Sequence, residues 1–254
     1  MLLFNNILII NCINFYCITY KILISLHFNK FIMAEVPTFK DIKNSNEVRI
    51  YIKQADVSLE ALGYTDHSFA HATICAEKAG KLLKDLGYNS HEVELAKIAA
   101  YMHDIGNVIN RQDHAQSGAL MAFRILDKMG MNPEDTAAVI TAIGNHDEKT
   151  AYPVNAIAAA VIIADKTDVR RSRVRSQDTI FSDIHDRVNY AVEKTEVKLN
   201  KEEKTLTVYF TIDTQISSVM DYFEIFLDRM LLCCKAANFF DLKFKINING
   251  SDLM

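Results

Sequence analysis

Ala96-Lys97-Ile98-Ala99-Ala100-Tyr101-Met102-His103-Asp104-Ile105-Gly106 is the stretch around which the chain organises itself. Apolar residues recur on a helical period until an imidazole and a carboxylate stand side by side, and a glycine follows. The pattern predicts a helix capped by Ser90, running from His91 to about Asp104 and closed by Gly106. Upstream, Thr65 or Asp66 is expected to cap a helix in which Phe69, Ala72, Ala76, Ala79, Leu82 and Leu83 make one buried stripe, stopped by Gly87. Ser45 caps an earlier one, through Val48, Ile52, Val57 and Leu62 to Gly63. Downstream, Asp113 caps a helix ending at Gly130. Asn132-Pro133-Glu134-Asp135 then combines a cap, a proline at the first position and acids at the positive end of the helix dipole, and its helix runs to about Gly144. Pro153 opens a helix apolar nearly all round, which belongs at the centre of a bundle. A shorter helix follows Ser182.

After Ala191 the period changes. Thr195 to Leu199 and Leu206 to Ile212 alternate, and Lys201-Glu202-Glu203-Lys204 between them is a polar turn. A helix over about Ser217 to Ala237 and a strand over Leu242 to Ile248 complete a strand–strand–helix–strand appendage, expected as a small antiparallel sheet with one helix on it. The expected fold is mostly α, divided as a leader (1–32), a helical domain (33–190) and a small α/β appendage (191–254).

Half of the 254 residues are hydrophobic and 24% are charged, an ordinary globular composition. A net charge of −4 gives no sign of general DNA or RNA binding, which needs a basic surface. The five cysteines are odd in number and contain no Cys-x-x-Cys pair, so they fit neither a disulfide framework nor a thiolate zinc site; reduced thiols in a cytoplasmic protein are expected. Residues 1–32 stand apart. They are rich in Ile, Leu, Asn, Phe and Tyr and carry no acidic residue. They are open to three readings: a membrane anchor, interrupted by Asn5, Asn6, Asn11, Asn14 and Lys21; an extension upstream of a true start at Met33; or an extra packed helix. Apart from such an anchor, no membrane association is expected.

Six ligand-type side chains fall where helices begin or end: His67 in a first turn, His103 and Asp104 at a C-terminus, His114 after the cap Asp113, His146 beyond Gly144, and Asp165 late in the apolar helix. A carboxylate on so apolar a helix is costly to bury unless it is paired or metal-bound. Imidazole with carboxylate suits Mn, Fe, Co or Zn, and Mg remains open.

The order His67, His103-Asp104, Asp165 resembles the HD superfamily of metal-dependent phosphohydrolases, in the local settings Asp66-His67-Ser68, Met102-His103-Asp104-Ile105-Gly106 and Ala164-Asp165-Lys166. The resemblance covers about Glu60 to Arg175. It implies a helical core with one divalent metal held by those four residues. Asp113-His114-Ala115-Gln116-Ser117-Gly118 and Gly144-Asn145-His146-Asp147-Glu148 are similar to the extra histidine motifs of two-metal HD proteins, including the HD-GYP branch. By that similarity His114 and His146 bind a second metal and Asp104 bridges the pair. The chain departs from HD-GYP proteins at Asn107, where they carry Lys, at Asp147, where they carry a second His, and at Ala151-Tyr152-Pro153, where the glycine is missing. A phosphate ester or anhydride other than cyclic-di-GMP is therefore expected.

The expected function is hydrolysis of a small-molecule phosphate ester or nucleotide by metal-activated water. Asp104 is expected to bridge the metals or act as general base. Lys166 is expected to act in catalysis and, with Arg170 four residues on, to contact phosphate from one helix face. The alternative is a non-catalytic nucleotide sensor signalling through the appendage, which Asn107 favours. His71 is either a group behind the ligands or a partly buried structural histidine. His91 and His185 are expected in solvent, Asp147 near His146 or in a cap, and Asp168 paired with Arg171 or orienting the basic run. Val219, Met220, Tyr222, Phe223, Ile225 and Phe226 offer more apolar surface than a three-stranded sheet hides, which suggests a homodimer.

Overall fold

The computed structural model describes residues 36–253, so residues 1–32 lie outside the described part of the chain. From Pro37 onward the chain packs as one compact unit. Its helical part comprises α1 (Phe39–Asn44), α2 (Asn46–Ala61), α3 (Phe69–Leu86), α4 (Ser90–Met102), α5 (His114–Lys128), α6 (Pro133–Gly144), α7 (Ala156–Lys166) and α8 (Ile184–Ala191). It is followed by β1 (Val192–Asn200), β2 (Thr205–Ile212), α9 (Val219–Phe239), β3 (Lys243–Ile248) and a two-residue β4 (Ser251–Asp252). The boundary read at 190/191 falls inside this unit, at the junction of α8 and β1.

Most caps follow the chemistry of their residues. Ser45, Asn132 and Asn155 each accept a backbone N–H of the turn they open, and Gly87 ends α3 in the left-handed region at φ 92°. Three expected starts move, and the helix expected after Ser182 is found there. Ser68, not Thr65 or Asp66, caps α3; Asn89, not Ser90, caps α4; Asn155, not Pro153, caps α7; Asp183 caps α8. In each the residue that wins has an oxygen within reach of an unpaired N–H. Asp113 precedes α5 at φ 57° and makes no side-chain cap. Of the apolar positions expected inside α2, Val57 and Leu62 face solvent, while Val48 and Ile52 are buried with Ala55 and Leu59.

Helix α7 runs through the centre, with every residue from Ile157 to Ala164 buried, and it packs against α3, α4, α6 and α9. The small side chains of Ala72, Ala76, Ala79, Ala96, Ala99 and Ala100 let α3 and α4 approach it closely.

The sheet is ordered β1-β2-β3-β4, and β1 and β2 are antiparallel as expected. Strands β2 and β3, however, run parallel, with Thr205 opposite Lys243 and Phe210 opposite Ile248, so the sheet is mixed. The reason is topological: α9 returns the chain to the starting end of β2, a crossover that dictates parallel pairing. Tyr222 and Phe226 are buried, with the Tyr222 ring 4.9 Å from Phe210. Val219, Phe223 and Ile225 are partly covered. The large apolar side chains left exposed on the helix are Met220, from the set read in the sequence, together with Leu227, Leu231 and Phe239.

Candidate metal centre

Each ligand-type side chain sits at a helix boundary. His67 lies just ahead of α3, not in its first turn, because Ser68 takes the cap. Its backbone N–H donates to Asp56 at 2.8 Å and its Nδ1 meets the Thr65 carbonyl at 2.6 Å. His103 and Asp104 follow α4, and a 3-10 turn over Ile105–Val108 carries the chain away. Gly106 is not the helix terminator expected. It lies inside that turn, where a Cβ would stand 2.0 Å from the His114 carbonyl oxygen and 2.5 Å from the Gly118 nitrogen. Its bare backbone lets the start of α5 press against the His-Asp segment. Gly106→Ala is therefore expected to force these backbones apart at a cost of about 1–3 kcal/mol or more. A lowered urea midpoint, with weakened metal binding by His114, would check this.

The donor atoms form two groups that share Asp104. In the first, His103 Nε2 is 3.1 Å from Asp104 Oδ2 and 3.7 Å from Asp165 Oδ1. In the second, His114 Nε2 and His146 Nε2 are 3.1 Å apart, and they lie 3.5 and 3.7 Å from Asp104 Oδ1. The Nδ1 atoms of His103, His114 and His146 meet the carbonyls of Ala100, Arg111 and Ile143 at 2.7, 3.0 and 2.6 Å. A carbonyl only accepts, so each Nδ1 carries the hydrogen and each Nε2 turns a lone pair inward. Buried lone pairs and carboxylate oxygens facing one another call for a cation, and this donor set fits divalent metals. Asn107 donates through Nδ2 to Asp104 Oδ1 at 2.9 Å and so fixes the shared carboxylate.

Without a metal, burial would push His103 down, but the Asp104 and Asp165 carboxylates outweigh it and raise its pKa to about 10, so that its Nε2 holds a proton which a bound cation would displace. Burial also works against the charge on Asp104, yet His103 beside it holds Asp104 well below the usual carboxylate range. Asp165 is depressed in the same way by Lys166 and His103. His114, where burial prevails, falls to about 4. His67 is driven well below its ordinary value by burial and then by Arg173.

The cleft over the two groups is lined by His67, Arg111, Lys166, Arg173 and Arg229 together with Asp104, His114, His146 and Asp165. Lys166 is buried, 2.8 Å from Asp165 Oδ2 and 2.6 Å from Glu148 Oε2. It does not share a helix face with Arg170. The helix ends at Lys166, Arg170 is extended, and the guanidinium of Arg170 is turned to Asp168 and Ser172. Arg111 donates to Asn107 Oδ1 at 3.3 Å, placing a cation beside the asparagine.

Sequence reasoning missed Arg111 and Arg229, and it singled out neither Arg173 within the basic run after Asp165 nor Glu148 within the motif around His146. Glu148 receives Arg229 of α9 at 3.2 Å, a pairing across 81 positions that no local pattern announces. It also undervalued His71, which is fully buried among the donors, whereas its i, i+4 spacing from His67 was visible. Asp168 pairs with His71, Lys78 and Arg170 rather than with Arg171. His185 is exposed, and His91, largely exposed, meets Asp135 at 2.7 Å. Cys75 and Cys233 are buried free thiols. No helix among the described residues is long and apolar enough to cross a membrane.

Comparison with known proteins agrees with this geometry. The chain is 28% identical over 189 residues to an uncharacterized protein of Methanocaldococcus jannaschii, covering 65% of this chain and 72% of that one. The family model of the HD domain matches residues 64–170, the span that holds both donor groups. Residues 64–170 are thus similar to the HD domain, and the described His/Asp groups that could hold a metal lie within that span.

Proposed function

We propose that the chain hydrolyses phosphate esters or nucleotides at a centre holding one or two divalent metals. The observation that carries this reading is Asp104, with one carboxylate oxygen turned to each of two imidazole groups. His71, His103, Asp104 and Asp165 would hold one cation, while His67, expected from sequence as a ligand, lies outside the close donor groups of the described residues and lines the cleft; Asp104, His114 and His146 would hold the other. Such cations polarise phosphoryl oxygens and lower the pKa of water. The remaining work falls to side chains. Lys166, Arg111, Arg173 and Arg229 face the cleft and place positive charge where a phosphoryl group becomes more negative. Asp104, with an oxygen toward each donor group, would position the cations and hold charge between them.

A sensor reading has one observation in its favour: Arg229, from the appendage helix, is joined through Glu148 to Lys166 at the floor of the cleft. A panel of phosphate esters and nucleotides with added Mn²⁺ separates the two readings. Turnover that chelation stops without unfolding the protein, and that His103→Ala lacks, supports the hydrolase. Metal-dependent nucleotide binding without turnover overturns it in favour of the sensor.

A further inference from the structure

We propose that Tyr64 and Arg111 form a stacking platform at the rim of the cleft that holds the base of a nucleotide substrate; the inference rests on the phosphohydrolase reading above and narrows its substrate class to nucleotides. The cleft itself has nothing with which to recognise a base. It offers about 260 Å³ of empty space, and every side chain that lines it is an imidazole, a carboxylate or a cation. Sites that enclose an organic ligand run to about 300–1,000 Å³ and are lined mainly by apolar and aromatic groups. The space over the donors therefore suits metals and a phosphoryl group, and the organic part of a substrate belongs at the rim.

Arg111 joins the rim to the donors. Its Nη1 is 3.3 Å from Asn107 Oδ1 and 3.2 Å from His114 Nε2, while its guanidinium carbon lies 5.4 Å from the centre of the Tyr64 ring, within the range of a cation–π contact. One side chain thus separates the ring from the donors, as one sugar separates the base from the phosphate in a 5′-nucleotide. Tyr64 is exposed but firmly held. It stands between α2 and α3, where its backbone N–H donates to the Leu59 carbonyl at 2.9 Å and its carbonyl accepts from Arg175 Nε at 3.0 Å. Arg175 is in turn paired with Asp56. The carbonyl of the next residue, Thr65, meets His67 Nδ1, so the ring rises from the same loop that sets a cleft-lining imidazole. Yet Tyr64 is 43% exposed, and among the described residues its ring has no partner but Arg111 and its hydroxyl has none. Bases stack on aromatic faces and on guanidinium planes alike, and a ring already fixed loses little freedom when a base settles on it.

The test compares adenosine 5′-monophosphate with ribose 5-phosphate, which lacks the base, for wild type, Tyr64→Phe and Tyr64→Leu with added Mn²⁺, by KM where both are turned over and by calorimetric binding otherwise. The readout is the ratio of the two constants within each protein, so general damage to the centre cancels. Wild type and Tyr64→Phe are expected to favour the nucleotide by about 5–150-fold, the span of one base–aromatic stack, with the difference in KM rather than kcat. In Tyr64→Leu the ratio is expected to fall toward one. Wild type that binds the two compounds equally, or Tyr64→Leu that keeps the wild-type ratio, overturns the inference. The expected ratio in binding, without turnover of any phosphate compound, supports the platform and overturns only the hydrolase reading. Wild type that binds neither compound overturns both. If Tyr64→Leu does not fold, wild-type crystals soaked with adenosine 5′-monophosphate decide. A base stacked about 3.5–4 Å from the Tyr64 ring supports the platform, and a base seated elsewhere overturns it.

Discussion

Asp104→Ala is expected to lose both metals at once, whereas Asp165→Ala loses one. The difference follows from the two faces of a single carboxylate. Oδ2 looks toward His103 and Oδ1 toward His114 and His146, so truncation removes a donor from each group. Asp165 reaches only the first group through Oδ1, its other oxygen being held by Lys166. An outer-layer partner is worth about 10–100-fold in metal affinity or activity. A shared ligand should therefore cost on the order of 10³-fold or more in turnover. Metal content per chain after dialysis checks the prediction: two metals retained by Asp104→Ala would refute the bridging role.

Lys166→Met is the substitution expected to harm stability most. Its ammonium is buried between Asp165 and Glu148, and all three charges owe their state to one another. The lysine pKa is raised because the two carboxylates outweigh burial, and Glu148 is held far below its ordinary value by Lys166 and Arg229 despite its burial. Removing one partner of a buried ion pair leaves the other uncompensated, typically at roughly 3–5 kcal/mol. Urea unfolding of the metal-free protein should show a loss of that order. Adding Glu148→Gln to the variant should restore part of it, since one of the two stranded charges is then gone. A single variant as stable as wild type would mean that water already screens the site.

Much of this arrangement was legible in the sequence because it is local. His103-Asp104 at the end of an apolar helix, Asp165 on another, and the 132–135 start signal are each contained within a few residues, and each landed at a helix boundary. Two kinds of feature were not legible. One is competition among nearby polar residues: Ser68 rather than Asp66 takes the cap, which moves His67 out of the helix. The other is pairing at long range. The crossover that makes β2 and β3 parallel, the approach of Arg229 to Glu148 and the meeting of His71 with Asp168 all depend on how distant elements stack. The helix ending at Lys166 likewise separates it from Arg170, which counting in fours had joined.

The glycine at 106 and the arginine at 229 give the cleft a history as well as a shape. Synthesis runs from the N-terminus, so the span with both donor groups leaves the ribosome before α9, the helix that bears Arg229 and packs against α7. A nascent chain can thus gather its imidazoles and carboxylates while the guanidinium above them is still missing. Translation would then deliver the ligand cluster first and the closed, fully charged pocket afterwards.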